Sequence, residues 1–102
     1  MAWTYIVRCS DGSYYVGSTI DLERRISEHN SPDLGAAYTR RRRPVTLAWS
    51  AEFERIDEAY AYEKRLQGWN RRKREALIRG ELSLLPDLSR RSGVQRRRAR
   101  RS

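Results

Sequence analysis

The chain has 102 residues, with 22 lysines and arginines against 13 acids, a net charge of +9, and 38% hydrophobic and 10% aromatic residues. That is room for one compact domain and not for a multidomain enzyme. One cysteine, Cys9, and one histidine, His29, exclude an intrachain disulfide framework and a cysteine- or multi-histidine metal site, and no segment nears the roughly 20 apolar residues of a membrane span or carries a signal-peptide core. The expectation is a reduced, cytoplasmic domain, with nucleoid association open to it, whose partner is a polyanion.

The elements follow in chain order. Residues 3 to 9 are aromatic and β-branched and predict a strand. Ser10, Asp11, Gly12 and Ser13 form a turn cluster containing Asp-Gly, a hairpin signal. Tyr14, Tyr15 and Val16 continue as the partner strand, ended by Gly17. Asp21 is placed to cap a helix over 22 to 30, with Glu23 in its first turn and Leu22 and Ile26 as its apolar pair. Ser31 and Pro32 end that helix, and a loop holding Arg40 to Arg43 runs to Pro44. Residues 45 to 53 alternate into a third strand. Asp57 is the cap candidate for a helix over 58 to 66, broken by Gly68, and a last helix over 71 to 79 stops at Gly80. The reading is an α/β domain, a small three-stranded antiparallel sheet flanked by helices in the order ββαβαα, over residues 1 to 82. Residues 83 to 102 form an arginine-rich tail expected to be disordered. Its last 16 residues carry seven arginines and one acid, suited to nonspecific phosphate attraction or simply to solubility.

Several positions stand out. At 100° per residue Ala59, Glu63 and Leu66 share one narrow helix face, with Tyr62 beside it. A carboxylate there needs an arginine, a hydrogen-bond network or a metal unless it stays partly exposed. Arg25 and His29 are four apart and neighbours on one surface. His29 projects between Leu22 and Ile26, as a satisfied core histidine does. Together the two can also present a cation and an imidazole to one phosphate. Tyr14 and Tyr15 point to opposite sheet faces, so only one shares a face with Tyr5; ordinary sheet packing explains tyrosines there equally well. Gly17 is a turn residue or a place where a phosphate approaches the backbone.

Tyr5 in Trp3-Thr4-Tyr5, then Tyr15-Val16-Gly17, Arg25 ten residues after Tyr15, His29, and Glu63 on a later helix together resemble the GIY-YIG nuclease superfamily. Within it, the small stand-alone bacterial (URI) domain proteins are most similar, with Tyr38-Thr39-Arg40 and Pro44 matching their Tyr-Thr-Arg run before a proline. The similarity spans residues 3 to 79. Trp3 and Thr4 replace the Gly and Ile of the name, Ser18 stands where the excision-repair branch has a lysine, and Asn70 is no clear counterpart of an asparagine found in some branches.

The resemblance implies the GIY-YIG fold and a metal-dependent endonuclease acting on DNA phosphodiesters (single-stranded, duplex or branched), with RNA as a second candidate polymer. It implies neither a membrane nor an obligate protein partner. Glu63 would be the sole protein ligand of one Mg²⁺ or Mn²⁺, which offsets charge on the leaving 3′ oxygen. Tyr5 would orient or deprotonate the attacking water, with its pKa depressed by the metal or Arg25. Tyr15 would bond the scissile phosphate, Arg25 would stabilise its pentavalent charge, and His29 would share the base role or contact a phosphate. Gly17, Arg40, Arg41, Arg42, Arg43, Arg71, Arg72, Lys73 and Arg74 are the candidates for contact with the flanking backbone. The alternative is a catalytically silent nucleic-acid-binding module using the same fold and a basic tail. A structural RNA- or ribosome-associated protein accounts for the charge but not for the position of Glu63.

Overall fold

The structure is a computed structural model and describes residues 1–82; the arginine-rich segment, and with it the expected tail, lies outside the described residues. Three strands form one antiparallel sheet in the order β2-β1-β3: β1 is Ala2–Arg8, β2 Tyr14–Thr19 and β3 Thr46–Phe53. The helices are α1 (Leu22–His29), α2 (Ala37–Arg40), α3 (Ile56–Gln67) and α4 (Arg71–Ile78). No helix among the described residues is long and apolar enough to cross a membrane.

As the central strand, β1 meets cover on both faces, and Thr4, Tyr5, Ile6 and Val7 are all buried. This is why it reads as a continuous apolar run rather than an alternation. The hairpin turn uses Gly12 at φ +85°, a conformation only glycine adopts freely. Asp11 Oδ1 accepts from the Ser13 backbone N–H at 3.0 Å and from its hydroxyl at 2.6 Å, pinning the turn. Along β3 the register slips between Ile6 and Val7, where Trp49 and Leu47 pair and Ala48 is left over.

Each sheet face has its own core. Under α1 lie Tyr5, Val7, Cys9 and Val45, with Tyr15, Leu22 and Ile26 packed against them. Under α3 and α4 lie Ile6, Val16, Leu66 and Leu77, with Tyr14, Trp49, Trp69 and Ile78. Tyr15 is therefore the tyrosine that shares a face with Tyr5. Cys9 is a buried thiol just past β1, and burial pushes its pKa up.

Three local expectations are corrected, and an alternative left open at Glu63 is decided. β2 continues through Gly17 to Thr19, because Gly17 sits opposite Tyr5 in the ladder instead of closing the strand. A four-residue helix, α2, interrupts the segment expected to be loop. The residue capping α3 is Arg55, which makes no side-chain cap bond; Asp57 lies inside the first turn, paired with Arg55 at 2.8 Å. The buried stripe of α3 is Ala59, Tyr62 and Leu66, which leaves Glu63 half-buried at its margin. Asp21 caps α1 as expected, accepting from the Arg24 N–H at 3.2 Å, and Asn70 does the same for α4 through the Lys73 N–H at 2.9 Å.

Candidate active site

The edge strand β2 joins two half-sites. On the α1 side, alternation along β1 and β2 turns Tyr5 and Tyr15 inward, and the last turn of α1 brings His29 to them. Tyr5 Oη and His29 Nε2 are 2.7 Å apart, and His29 Nδ1 lies 2.8 Å from the Thr39 hydroxyl. The Tyr15 ring meets His29 edge-on at 5.2 Å and stacks on Tyr38 at 5.9 Å. His29 is 0% and Tyr5 1% exposed, whereas Tyr15 is half-buried. His29 therefore sits behind Tyr5 and reaches no phosphate from there.

Burial costs each ionised form and decides both titrations. It holds His29 down to about 4, with the Arg25 guanidinium acting in the same direction and Glu28 opposing, so the imidazole is neutral near pH 7. It pushes Tyr5 up to about 12, and Arg25 beside the phenol pulls only part of that back. The expected depression of the phenol pKa is not present in this state, because desolvation outweighs the one nearby cation.

Arg25 is held through Nη1, which donates to Glu28 Oε1 at 2.8 Å and to the Leu34 carbonyl at 3.1 Å. This spaces the guanidinium beside Tyr5. The loop beyond α1 is clamped by Asn30, whose amide donates to the Val45 carbonyl at 3.0 Å and accepts from the Val45 N–H at 2.7 Å.

Gly17 has a packing reason that the sequence reading did not weigh. A Cβ at that position would lie 2.6 Å from Tyr5 Cζ. The missing side chain makes room for the phenol.

The second half-site comes from α3 on the opposite face, anchored where the Thr4 hydroxyl donates to the Ala59 carbonyl at 2.6 Å. Glu63 projects from it toward β2. Its Oε1 accepts from the Ser18 hydroxyl at 2.5 Å and its Oε2 from the Gln67 amide at 2.8 Å. A hydrogen-bond network thus compensates this carboxylate, and among the described residues it makes no ion pair. Its charge makes the smallest of the named contributions to the Tyr5 phenol pKa, a slight upward push. On the same helix Lys64 Nζ lies 4.8 Å over the exposed ring of Tyr60.

No group of three or more His, Cys, Asp or Glu able to hold a metal occurs among the described residues. One carboxylate flanked by a hydroxyl and an amide is a donor set for a hard cation that keeps most of its waters, as Mg²⁺ does. It does not suit a fully protein-ligated Zn²⁺ or Ca²⁺. In that limited sense Glu63 fits the implied metal.

The basic candidates divide. Arg42 is a staple: Nε donates to Asp11 Oδ2 at 3.0 Å, Nη1 to the Tyr38 carbonyl at 2.8 Å, and the guanidinium lies 4.0 Å over the Tyr38 ring. Arg74 closes the end of α3, donating to the Leu66 and Gln67 carbonyls at 3.1 and 3.0 Å. Both are thereby engaged in the fold rather than free for a phosphate. Arg71 pairs with Glu75 at 3.0 Å and lies over Tyr14. Arg40, Arg41, Arg43, Arg72 and Lys73 are exposed. An apolar groove lined by Trp3, Ile20, Leu22, Ile26 and Leu47 contains none of the five predicted site residues.

Ser18, Gln67, Thr39 and Glu28 are the site groups the sequence reading left without a role. Two had a detectable signal, since Gln67 and Glu28 stand four and three residues from Glu63 and Arg25 on their helices. Ser18 and Thr39 meet their partners only through the tertiary fold.

Comparison with known proteins identifies relatives and a family. The UPF0213 protein VNG_2274C of Halobacterium salinarum is 47% identical over 78 residues, covering 76% of this chain and 100% of that protein. A UPF0213 protein of Bacillus pumilus is 45% identical over 74 residues, 72% of this chain and 74% of its own length. The solution NMR structure of the UPF0213 protein BH0048 from Bacillus halodurans is 42% identical, covers 76% of this chain and 83% of that one, and superposes with a TM-score of 0.49. The family model of the GIY-YIG catalytic domain matches residues 1–76, and the chain belongs to the GIY-YIG family of nuclease domains.

Proposed function

We propose that the protein is a metal-dependent endonuclease that hydrolyses DNA phosphodiester bonds at the edge of β2. The observation that carries this reading is the buried Tyr5–His29 contact at 2.7 Å. It joins a phenol to a neutral imidazole able to take its proton. The two pKa values, about 12 and about 4, make an outright transfer between them costly, on the order of 10 kcal/mol. Without metal or substrate, Tyr5 is therefore a neutral phenol near pH 7. Tyr5 passes its proton to His29 Nε2 as it receives one from the attacking water, and no full charge rests on the buried oxygen.

The remaining roles follow from exposure. Tyr15, half-buried, is the phenol accessible to the scissile phosphate, and Arg25 offers the guanidinium that offsets its developing charge. Glu63 would hold the divalent cation, Mg²⁺ or Mn²⁺, which when bound supplies charge neutralisation at the leaving oxygen. Ser18 and Gln67 hold that carboxylate in place. Arg40, Arg41, Arg43, Arg72 and Lys73 are the cations open to flanking phosphates, and residues 83–102 would add sequence-independent attraction.

The test is incubation of purified protein with end-labelled single-stranded, duplex and branched DNA, with and without Mg²⁺ or Mn²⁺. Metal-dependent nicking abolished by Glu63→Gln and by Arg25→Ala, with DNA binding retained, supports the reading. Unchanged cleavage in both variants rejects the assigned site. Salt-sensitive binding without any cleavage favours the silent binding module.

A further inference from the structure

The hydrogen bonds around His29 do not stop at Tyr5. Thr39, on α2, is fully buried with its hydroxyl 2.8 Å from His29 Nδ1, and that hydroxyl also donates to the Ala36 carbonyl at 3.1 Å. A hydroxyl has one hydrogen. If it is given to Ala36, Thr39 can only accept from His29, which requires the proton of the neutral ring to be on Nδ1. The other end of the ring leads to the same assignment. Arg25, beside the phenol, is a donor with no acceptor capacity. His29 Nε2 is the acceptor that the described residues place at the Tyr5 hydroxyl, and it accepts only if it carries no proton.

We propose that Thr39 is a positioning residue that fixes the Nδ1–H tautomer of His29 and so keeps the free lone pair of Nε2 facing Tyr5. This rests on the reading of Tyr5–His29 as the proton route. His29 and Thr39 both have 0% exposure, so bulk water cannot replace the hydroxyl. Without it the Nδ1–H loses its acceptor, and an unsatisfied buried donor is costly. The proton then moves to Nε2, which points it at the phenol and removes the acceptor of the Tyr5 proton. Tyr15, Arg25 and Glu63, which face the substrate, are not bonded to Thr39, so the loss falls on turnover rather than on binding. The Asn30 clamp on Val45 holds the intervening loop in register and makes the contact a fixed part of the fold.

His29 is the chain's single histidine, so its ring nitrogens give an unambiguous ¹⁵N spectrum. The spectrum of the wild-type protein near pH 7 is expected to show Nδ1 protonated and Nε2 bare, and that of Thr39→Val the reverse. In DNA cleavage Thr39→Val is expected to lower kcat by roughly 100-fold with KM within about twofold, and Thr39→Ser to restore both spectrum and rate. A protonated Nε2 in the wild-type protein overturns the proposal, and that spectrum needs no variant to fold. A wild-type tautomer and wild-type kcat in a folded Thr39→Val overturn it as well. If no form cleaves DNA, wild type included, the nuclease reading fails, and the spectra of the two variants alone decide whether Thr39 sets the tautomer.

Discussion

The Tyr5 phenol fills the space across the β1–β2 ladder that any side chain at position 17 would need, its Cζ 2.6 Å from where a Cβ would stand. The site's buried phenol and its glycine are therefore one packing unit. Gly17→Ala is expected to displace Tyr5 and destabilise the protein by about 1–3 kcal/mol, as overpacking does. In a Tyr5→Ala background the same change should cost little. Equal costs in both backgrounds, measured by denaturant unfolding, contradict this packing.

Stability should carry a signature of His29. Its pKa is depressed from 6.5 in the unfolded chain to about 4 in the fold, by burial first, then by Arg25, against Glu28. The contribution is present above pH 6.5 and is lost as pH falls through 4, up to about 3 kcal/mol in all. Asp11 and Glu28, whose pKa values are held below the ordinary carboxylate range, add their losses at lower pH. Between pH 6.5 and 5 the slope of unfolding free energy against pH is therefore due to the one histidine. Folded His29→Gln should flatten it; an unchanged slope points to another group.

The carboxylate's partners should matter for metal. Ser18→Ala and Gln67→Ala each leave one Glu63 oxygen without its donor. Losing such an outer contact typically costs about 10–100-fold in metal affinity or activity. Mn²⁺ titration followed by electron paramagnetic resonance should show this weakening with thermal stability little changed. Affinity equal to wild type in both variants separates these groups from the metal site.

Two arginines of one basic run should separate by readout. Arg74→Ala removes two bonds to the last carbonyls of α3 and should cost about 1–2 kcal/mol of stability. Arg72→Ala, exposed, should change stability by less than about 0.5 kcal/mol and instead lower the salt dependence of DNA binding. Reversed effects contradict the assignment of Arg74 to the fold.

What was legible in the chain were features with a local cause. The Asp11-Gly12 turn, the Asp21 cap, the stop at Gly80 and the three strands each rest on neighbours in sequence, and the described structure contains them. The five residues singled out do gather around β2, although their roles stand as a proposal. What was not legible depends on pairing across the fold. Gly17 reads as a strand end until Tyr5 is seen opposite it. Ser18 meets Glu63 45 positions away. Arg42 and Arg74 look like any other cation in a basic run, because nothing in sequence says which carbonyl each will meet. The upward push on the Tyr5 pKa has no signal in the sequence, because burial, which dominates it, is a tertiary quantity.

The central claim is that Tyr5 and His29 act as one proton-handling unit in metal-dependent hydrolysis. Single-turnover cleavage of labelled DNA in Mn²⁺ by wild type, Tyr5→Phe, His29→Gln and the double variant tests it most directly. The account predicts that each single change slows cleavage by roughly 100-fold or more and that the double variant is little slower than either, since the second change removes nothing further. Cleavage by Tyr5→Phe at the wild-type rate, or losses that multiply in the double variant, would contradict it.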